Sequence, residues 1–140
     1  MAHADLIKKI TCRDAIVGVI GLGYVGLPLA LAFAKKNFSV IGFDVDENKV
    51  KSINAGRSYM SHLSHGLIHE HTKKGNFSAT ADFTRLSVVD AVLICVPTPL
   101  NDQKEPDLSY VISTSDAIVP QLMPEQLIIL ESTTYPGCTE

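Results

Sequence analysis

An apolar, largely β-branched run, Ile16-Val17-Gly18-Val19-Ile20, leads straight into Gly21-Leu22-Gly23-Tyr24-Val25-Gly26, and an apolar segment of helical character continues to Lys36. This order constrains the fold more than any other feature of the chain. A strand that brings the chain to a sheet edge, a Gly-x-Gly-x-x-Gly turn and a helix together make a phosphate-binding unit. Gly21 permits the tight turn, Gly23 lets backbone approach a pyrophosphate, and Gly26 lets the helix pack on the strand. The helix N-terminus offers unpaired N–H groups and a positive dipole end to an anion. The glycine pattern alone is equally well an ordinary glycine-rich turn, so its meaning depends on its surroundings.

The next strand supplies the first test. Phe38 to Phe43 reads as β and ends in Asp44, which stands 23 positions after Gly21. An acid about 20 residues beyond the first glycine is placed to bind the adenosine ribose. A carboxylate there accepts from both ribose hydroxyls and repels a 2′-phosphate, which favours NAD over NADP. Asp44 also stands where a helix cap is needed, but Asp46 can fill that place, ahead of a helix to Asn54 closed by Ala55-Gly56.

Elsewhere strands and helices alternate. Leu6, Ile7 and Ile10 predict a short amphipathic helix over 4–10 that packs across the sheet edge. Ala15 to Ile20 is the first strand, and Tyr24 to Lys36 a helix with Val25, Leu29, Ala32 and Phe33 inward. Arg57 to Ser64 is irregular, and Gly66 to Lys74 is a helix closed by Gly75. Phe77 to Thr80 is a third strand, Asp82 to Leu86 a helical turn, and Asp90 to Val96 a buried fourth strand stopped by Pro97-Thr98-Pro99. Asp107 to Met123 reads as a helix capped by Asp107, with Val111, Ile112, Ser115, Ile118 and Val119 inward and a break at Pro120. Gln126 to Glu131 is a fifth strand. The alternation predicts an α/β fold, a doubly wound and mostly parallel sheet with helices on both faces. Ligands then bind at the carboxyl edge, where Gly23, Thr98 and the Ser132-Thr133-Thr134 run fall together.

Composition narrows the partners. The 140 residues are 46% hydrophobic and 19% charged with a net charge of −3, which fits one globular domain rather than a disordered chain. No basic block favours nucleic acid. No apolar run approaches the roughly 20 residues of a membrane span. Cys12, Cys95 and Cys138 form no close pair, and the N-terminus has no signal-peptide core, so reduced thiols and a cytoplasmic location are expected. His62, His65, His69 and His71 crowd one region, with 65 and 69 on one helix face. No cysteine or spaced carboxylate accompanies them, and no metal is expected.

Three segments carry a family resemblance: Gly-Leu-Gly-Tyr-Val-Gly-Leu-Pro-Leu-Ala (21–30), Cys-Val-Pro-Thr-Pro-Leu (95–100) and Glu-Ser-Thr-Thr-Tyr-Pro-Gly (131–137). They resemble the nucleotide-sugar 6-dehydrogenases. Asn-Ala-Gly-Arg-Ser-Tyr (54–59) and Glu-Pro-Asp-Leu-Ser-Tyr-Val-Ile (105–112) are most similar to the UDP-N-acetyl-glucosamine subgroup. The resemblance implies a Rossmann-type NAD-binding domain over 1–140, with the family's central and UDP-binding domains beyond it. The family oxidises a sugar C6 alcohol to a carboxylate in two hydride transfers to NAD, through a covalent adduct on a cysteine. By resemblance, Gly21, Leu22, Gly23, Tyr24, Val25 and Gly26 hold the pyrophosphate. Asp44 holds the ribose with Lys49 beside it. Val96, Pro97, Thr98, Pro99 and Leu100 line the nicotinamide half, and Ser132, Thr133 and Thr134 lie near the reacting centre. Thr133 matches the water-orienting threonine; a strand-end hydroxyl bonding local backbone is the plainer reading, but its place at the same carboxyl edge as Gly23 and Thr98 favours the site role.

The family's nucleophilic cysteine, with its lysine and asparagine partners, falls after residue 140, and none of the three cysteines here fits that role. The expected function is thus cofactor binding by the NAD domain of a UDP-sugar dehydrogenase. The UDP-sugar is a partner only of the full enzyme, and a homo-oligomer is expected. The edge facing the other domains should be apolar and open. Two other readings stay open: a standalone nucleotide-sensing or partner-binding module, and another NAD-linked dehydrogenase, which leaves Glu131 to Gly137 unexplained.

Overall fold

A computed structural model describes residues 2–132. The apolar run condenses as β1 (Ile16–Ile20), whose position at the centre follows from its composition, since a strand covered on both faces must be apolar throughout. It pairs in parallel with β2 (Ser39–Phe43) on one side and β4 (Ala91–Ile94) on the other. β3 (Phe77–Thr80) and β5 (Leu127–Leu130) complete a five-stranded parallel sheet in the order β3-β2-β1-β4-β5.

The two faces bury separate cores. Val17, Val19, Val40 and Phe77 meet Leu27 and Leu31 of helix α2 (Gly26–Lys35), Ile53 of α3 (Glu47–Asn54) and Ile68 of α4 (His65–Lys74). On the other face Ile20, Ile41, Phe43 and Ile94 meet Leu86 of a 3₁₀ turn (Phe83–Val88) and Ile118 of α5 (Ser109–Ile118). Val17 and Val19 face one way and Ile20 the other, as the period of two demands.

Several boundaries differ from the sequence reading. The inward residues of α2 are Gly26, Leu27, Ala30, Leu31 and Ala34, while Val25 and Ala32 are exposed. α5 stops at Ile118, and Val119–Gln121 continue as a 3₁₀ turn carrying Pro120, which cannot donate the next helical bond. Ile112 and Val119 are exposed rather than inward. Asp107 sits one residue before the N-cap, Leu108, and accepts from the Ser109 N–H at 2.9 Å. The N-terminal helix, α1 (Ala2–Cys12), is longer than expected, and Ile7 and Ile10 stay exposed. It is tied down by Lys9, whose Nζ lies 2.8 Å from Asp90, and the same carboxylate accepts from the Ile16 N–H that opens β1. The cap at Asp46 and the left-handed stop at Gly75 follow the sequence signals, while α4 starts one residue earlier than read, at His65, with Ser64 as its cap.

Candidate functional site

β1 and β4 are neighbours whose onward connections cross to opposite faces, so a crevice opens between them at the carboxyl edge. A largely apolar cleft of about 680 Å³ occupies it. Its walls are the glycine turn after β1, the Asp44 segment after β2, the Cys95–Thr98 segment after β4, and Glu131 and Ser132 after β5.

The glycine turn is shaped by the chain at two positions and not at a third. Gly21 takes φ +90°, and a Cβ there would lie 2.7 Å from the Cys95 carbonyl oxygen. A Cβ on Gly26 would stand 1.6 Å from the Gly21 carbonyl oxygen, so helix and turn touch only because residue 26 has no side chain. At Gly23, by contrast, nothing lies within 4 Å of where a Cβ would be. The space is free on the cleft side, where a ligand would need close access to backbone. The N–H groups of Gly23, Tyr24 and Val25 donate to no other described residue. Free donors at the start of a helix suit a diphosphate, and the residues present therefore fit a dinucleotide.

Asp44 is buried at the end of β2. One carboxylate oxygen accepts from the Leu22 N–H and the other from the Asp46 N–H, both at 2.9 Å. Each oxygen keeps acceptor capacity for a hydroxyl, so the side chain is held in place without being used up. Capping of α3 falls to Asp46, which accepts from Asn48 and Lys49. Lys49 lines the cleft, its Nζ 5.7 Å above the Tyr59 ring.

Of the residues singled out from sequence, Gly21 through Val25, Asp44, Lys49, Val96, Pro97, Thr98 and Ser132 come together around the cleft. Ser132 Oγ donates to the Val96 carbonyl at 2.8 Å, which fastens the ends of β4 and β5 to each other. Gly26 packs beneath the turn. Pro99 and Leu100 run on from the wall: the Pro99 carbonyl accepts from Asp107, and Leu100 is exposed and bridges to Pro106. Thr133, Thr134 and Cys138 lie outside the described residues. Sequence reading missed Phe83, Tyr110, Thr114 and the exposed Val45 as cleft residues. Tyr110 and Thr114 stand four apart on α5, a spacing that gives one face, and Val45 directly follows the ribose acid.

The two cysteines among the described residues are not poised for nucleophilic chemistry. Cys95 is buried, and burial aided by the Glu131 charge pushes its thiol up to about 11. Cys12 is exposed on α1, ahead of β1 and so at the opposite end of the sheet. The histidines disperse into separate roles. His62 stacks on Tyr24 at 5.9 Å, His65 Nδ1 accepts from the Ser58 N–H, and His71 is buried with Nδ1 3.2 Å from Asn76 Oδ1. Among the described residues no group of three potential ligands could hold a metal, and no helix is long and apolar enough to cross a membrane.

Comparison with known proteins bears on the family and the fold. Residues 15–140 match the family described as UDP-glucose/GDP-mannose dehydrogenase, NAD-binding domain. The chain is 41% identical over 125 residues to the NDP-N-acetyl-D-galactosaminuronic acid dehydrogenase of Ralstonia nicotianae, covering 89% of this chain and 29% of that protein. It is 35% identical over 128 residues to the UDP-N-acetyl-D-glucosamine 6-dehydrogenase of Pseudomonas aeruginosa, covering 91% and 29%. The crystal structure of the NDP-N-acetyl-D-galactosaminuronic acid dehydrogenase of Methanosarcina mazei superimposes with a TM-score of 0.81 at 36% identity, covering 94% of this chain and 30% of that one. The chain thus spans about 29% of the length of the curated relatives it matches.

Proposed function

The chain belongs to the UDP-glucose/GDP-mannose dehydrogenase family through its NAD-binding domain, and from that premise we propose that it binds NAD for the oxidation of a UDP-sugar at C6. The observation that carries the reading is the switch-point cleft, lined by Asp44, whose carboxylate is held, and by Gly23, Tyr24 and Val25, whose N–H groups donate to no other described residue. In this reading the turn from Gly21 to Gly26 receives the pyrophosphate, with Gly23, Tyr24 and Val25 donating. Asp44 accepts from the ribose hydroxyls and repels a 2′-phosphate, and Lys49 stands beside it. Val96, Pro97 and Thr98, followed by Pro99 and Leu100, flank the nicotinamide half. Ser132, Thr133 and Thr134 serve the reacting centre, with Thr133 orienting a water. Bound there, NAD would accept the hydride in each of the two oxidations, one NAD per hydride, that take the alcohol with one water to a carboxylate.

The sugar is read as UDP-N-acetyl-glucosamine. Segments 54–59 and 105–112 support this, as does the similarity to a relative named for that substrate. Residues 1–140 are read as one domain with a short leading helix, in a homo-oligomeric cytoplasmic enzyme whose central and UDP-binding domains lie outside this stretch. Alone, the chain binds cofactor without turnover. The buried thiol of Cys95 and the remote Cys12 support that part, because covalent catalysis needs a thiolate beside a base.

Titration of the folded chain with NADH, followed by fluorescence, tests the reading. Saturable binding is expected, with NADPH binding more weakly. A folded chain that binds neither would overturn it.

A further inference from the structure

We propose that Tyr59 is a positioning residue for the anion-binding turn, setting the direction of the Gly23 N–H; the inference deepens the dinucleotide reading and rests on it. Tyr59 lies between α3 and α4, 37 positions from Leu22 in sequence. Its hydroxyl donates to the Leu22 carbonyl. The Leu22 N–H donates to Asp44 at 2.9 Å. Both peptide units that flank the Leu22 Cα are therefore held by residues from outside the turn.

The consequence follows from peptide geometry. The described residues contain no cis peptide bond, so the Leu22 carbonyl and the Gly23 N–H, which share one planar unit, point in opposite directions. A carbonyl fixed on Tyr59 leaves the Gly23 N–H directed away from the 57–64 segment. Gly23 lines the cleft, and its N–H donates to no other described residue. Gly23 has no Cβ, and nothing lies within 4 Å of where one would be, so no side chain at this position resists rotation of the peptide. Rotated by half a turn, it would offer a carbonyl oxygen to a diphosphate and turn attraction into repulsion. Tyr59 removes that alternative before the ligand arrives.

The side chain suits the task. Its phenol is raised above its ordinary value by burial, with the carboxylates of Asp44 and Asp46 adding to the effect, so it remains a donor at any working pH. The Lys49 ammonium stands over the ring, 5.7 Å from its centroid, which favours this orientation of the phenol.

Affinities for ADP and for adenosine, measured by NMR titration of the full chain and of Tyr59→Phe, test the inference. Adenosine meets Asp44 but brings no diphosphate to the turn. Removal of the hydroxyl is expected to weaken ADP by about three- to tenfold, the worth of one hydrogen bond, and to leave adenosine nearly unchanged. Equal losses for both ligands, or no loss for ADP, would overturn the inference. If Tyr59→Phe fails to fold, Tyr59→Met carries the same comparison, since a flexible apolar side chain fills the space but brings no donor to Leu22. An unsubstituted chain that binds neither ligand would defeat the dinucleotide reading itself, and the inference with it.

Discussion

Gly23 and Gly26 belong to one motif, yet they answer to different demands. At Gly26 the chain itself forbids a side chain, since a Cβ would meet a backbone oxygen of the turn at 1.6 Å. At Gly23 the chain forbids nothing, because the space around a Cβ is open. Alanine therefore separates folding from binding. Gly26→Ala should cost about 3 kcal/mol of stability, because the obstacle is backbone that cannot rotate aside. Gly23→Ala should change stability by no more than about 0.5 kcal/mol, while the added methyl stands where a diphosphate would approach and lowers NADH affinity at least about tenfold. Thermal unfolding and NADH titration of the two variants check the pair. Equal behaviour in both measurements would mean that the motif does a single job.

At the scale of elements, short polar side chains set where pieces begin, and some of them titrate. Asp82 opens the 3₁₀ turn at Phe83 by accepting from the Thr84 N–H at 3.1 Å and the Thr84 hydroxyl at 2.6 Å. Those bonds hold its carboxyl below the ordinary value of 3.8. The unfolded chain thus binds this proton more readily than the folded one. The stabilisation is complete above that ordinary value and is lost as pH falls through the lower, folded one. Asp82→Asn should flatten the acid limb of a plot of unfolding midpoint against pH, and an unchanged limb would remove Asp82 from acid denaturation. Such local signals explain why much of the fold was legible. β3 was readable because Gly75 and Asp82 bracket four residues of strand character, and α3 and α4 because their caps are written in sequence. The inward face of α2 was not readable. Leu27, Leu29, Leu31 and Phe33 are all apolar, and only packing against β1 and β2 chooses among them. The site divides in the same way. The glycine turn and Asp44 are a matter of spacing along the chain. Phe83, Tyr110 and Thr114 reach the cleft through the winding of the sheet, and Tyr59 reaches the turn the same way, so no local pattern announces them.

At the scale of the whole molecule, the strand order among the described residues leaves β5 at a rim of the sheet. Its sequence, Leu127-Ile128-Ile129-Leu130, carries no charge or proline to discourage another strand. Leu127 and Ile128 are 40% and 42% exposed, and Val119 and Met123, in the segment leading into β5, are 62% and 52% exposed. An uncharged strand that ends the sheet among the described residues, approached by apolar side chains, is a template for pairing with a second copy. The chain should accordingly self-associate as concentration rises, with the mass from static light scattering climbing above that of a monomer. Ile128→Lys places a charge in the middle of the rim and should restore the monomer mass. The same variant should leave NADH affinity alone, because the cleft is walled by Glu131 and Ser132 beyond the strand's end and not by Ile128. A constant monomer mass for the unsubstituted chain would show that the rim is already protected. A parallel loss of NADH binding in Ile128→Lys would mean that a second copy helps to close the cleft.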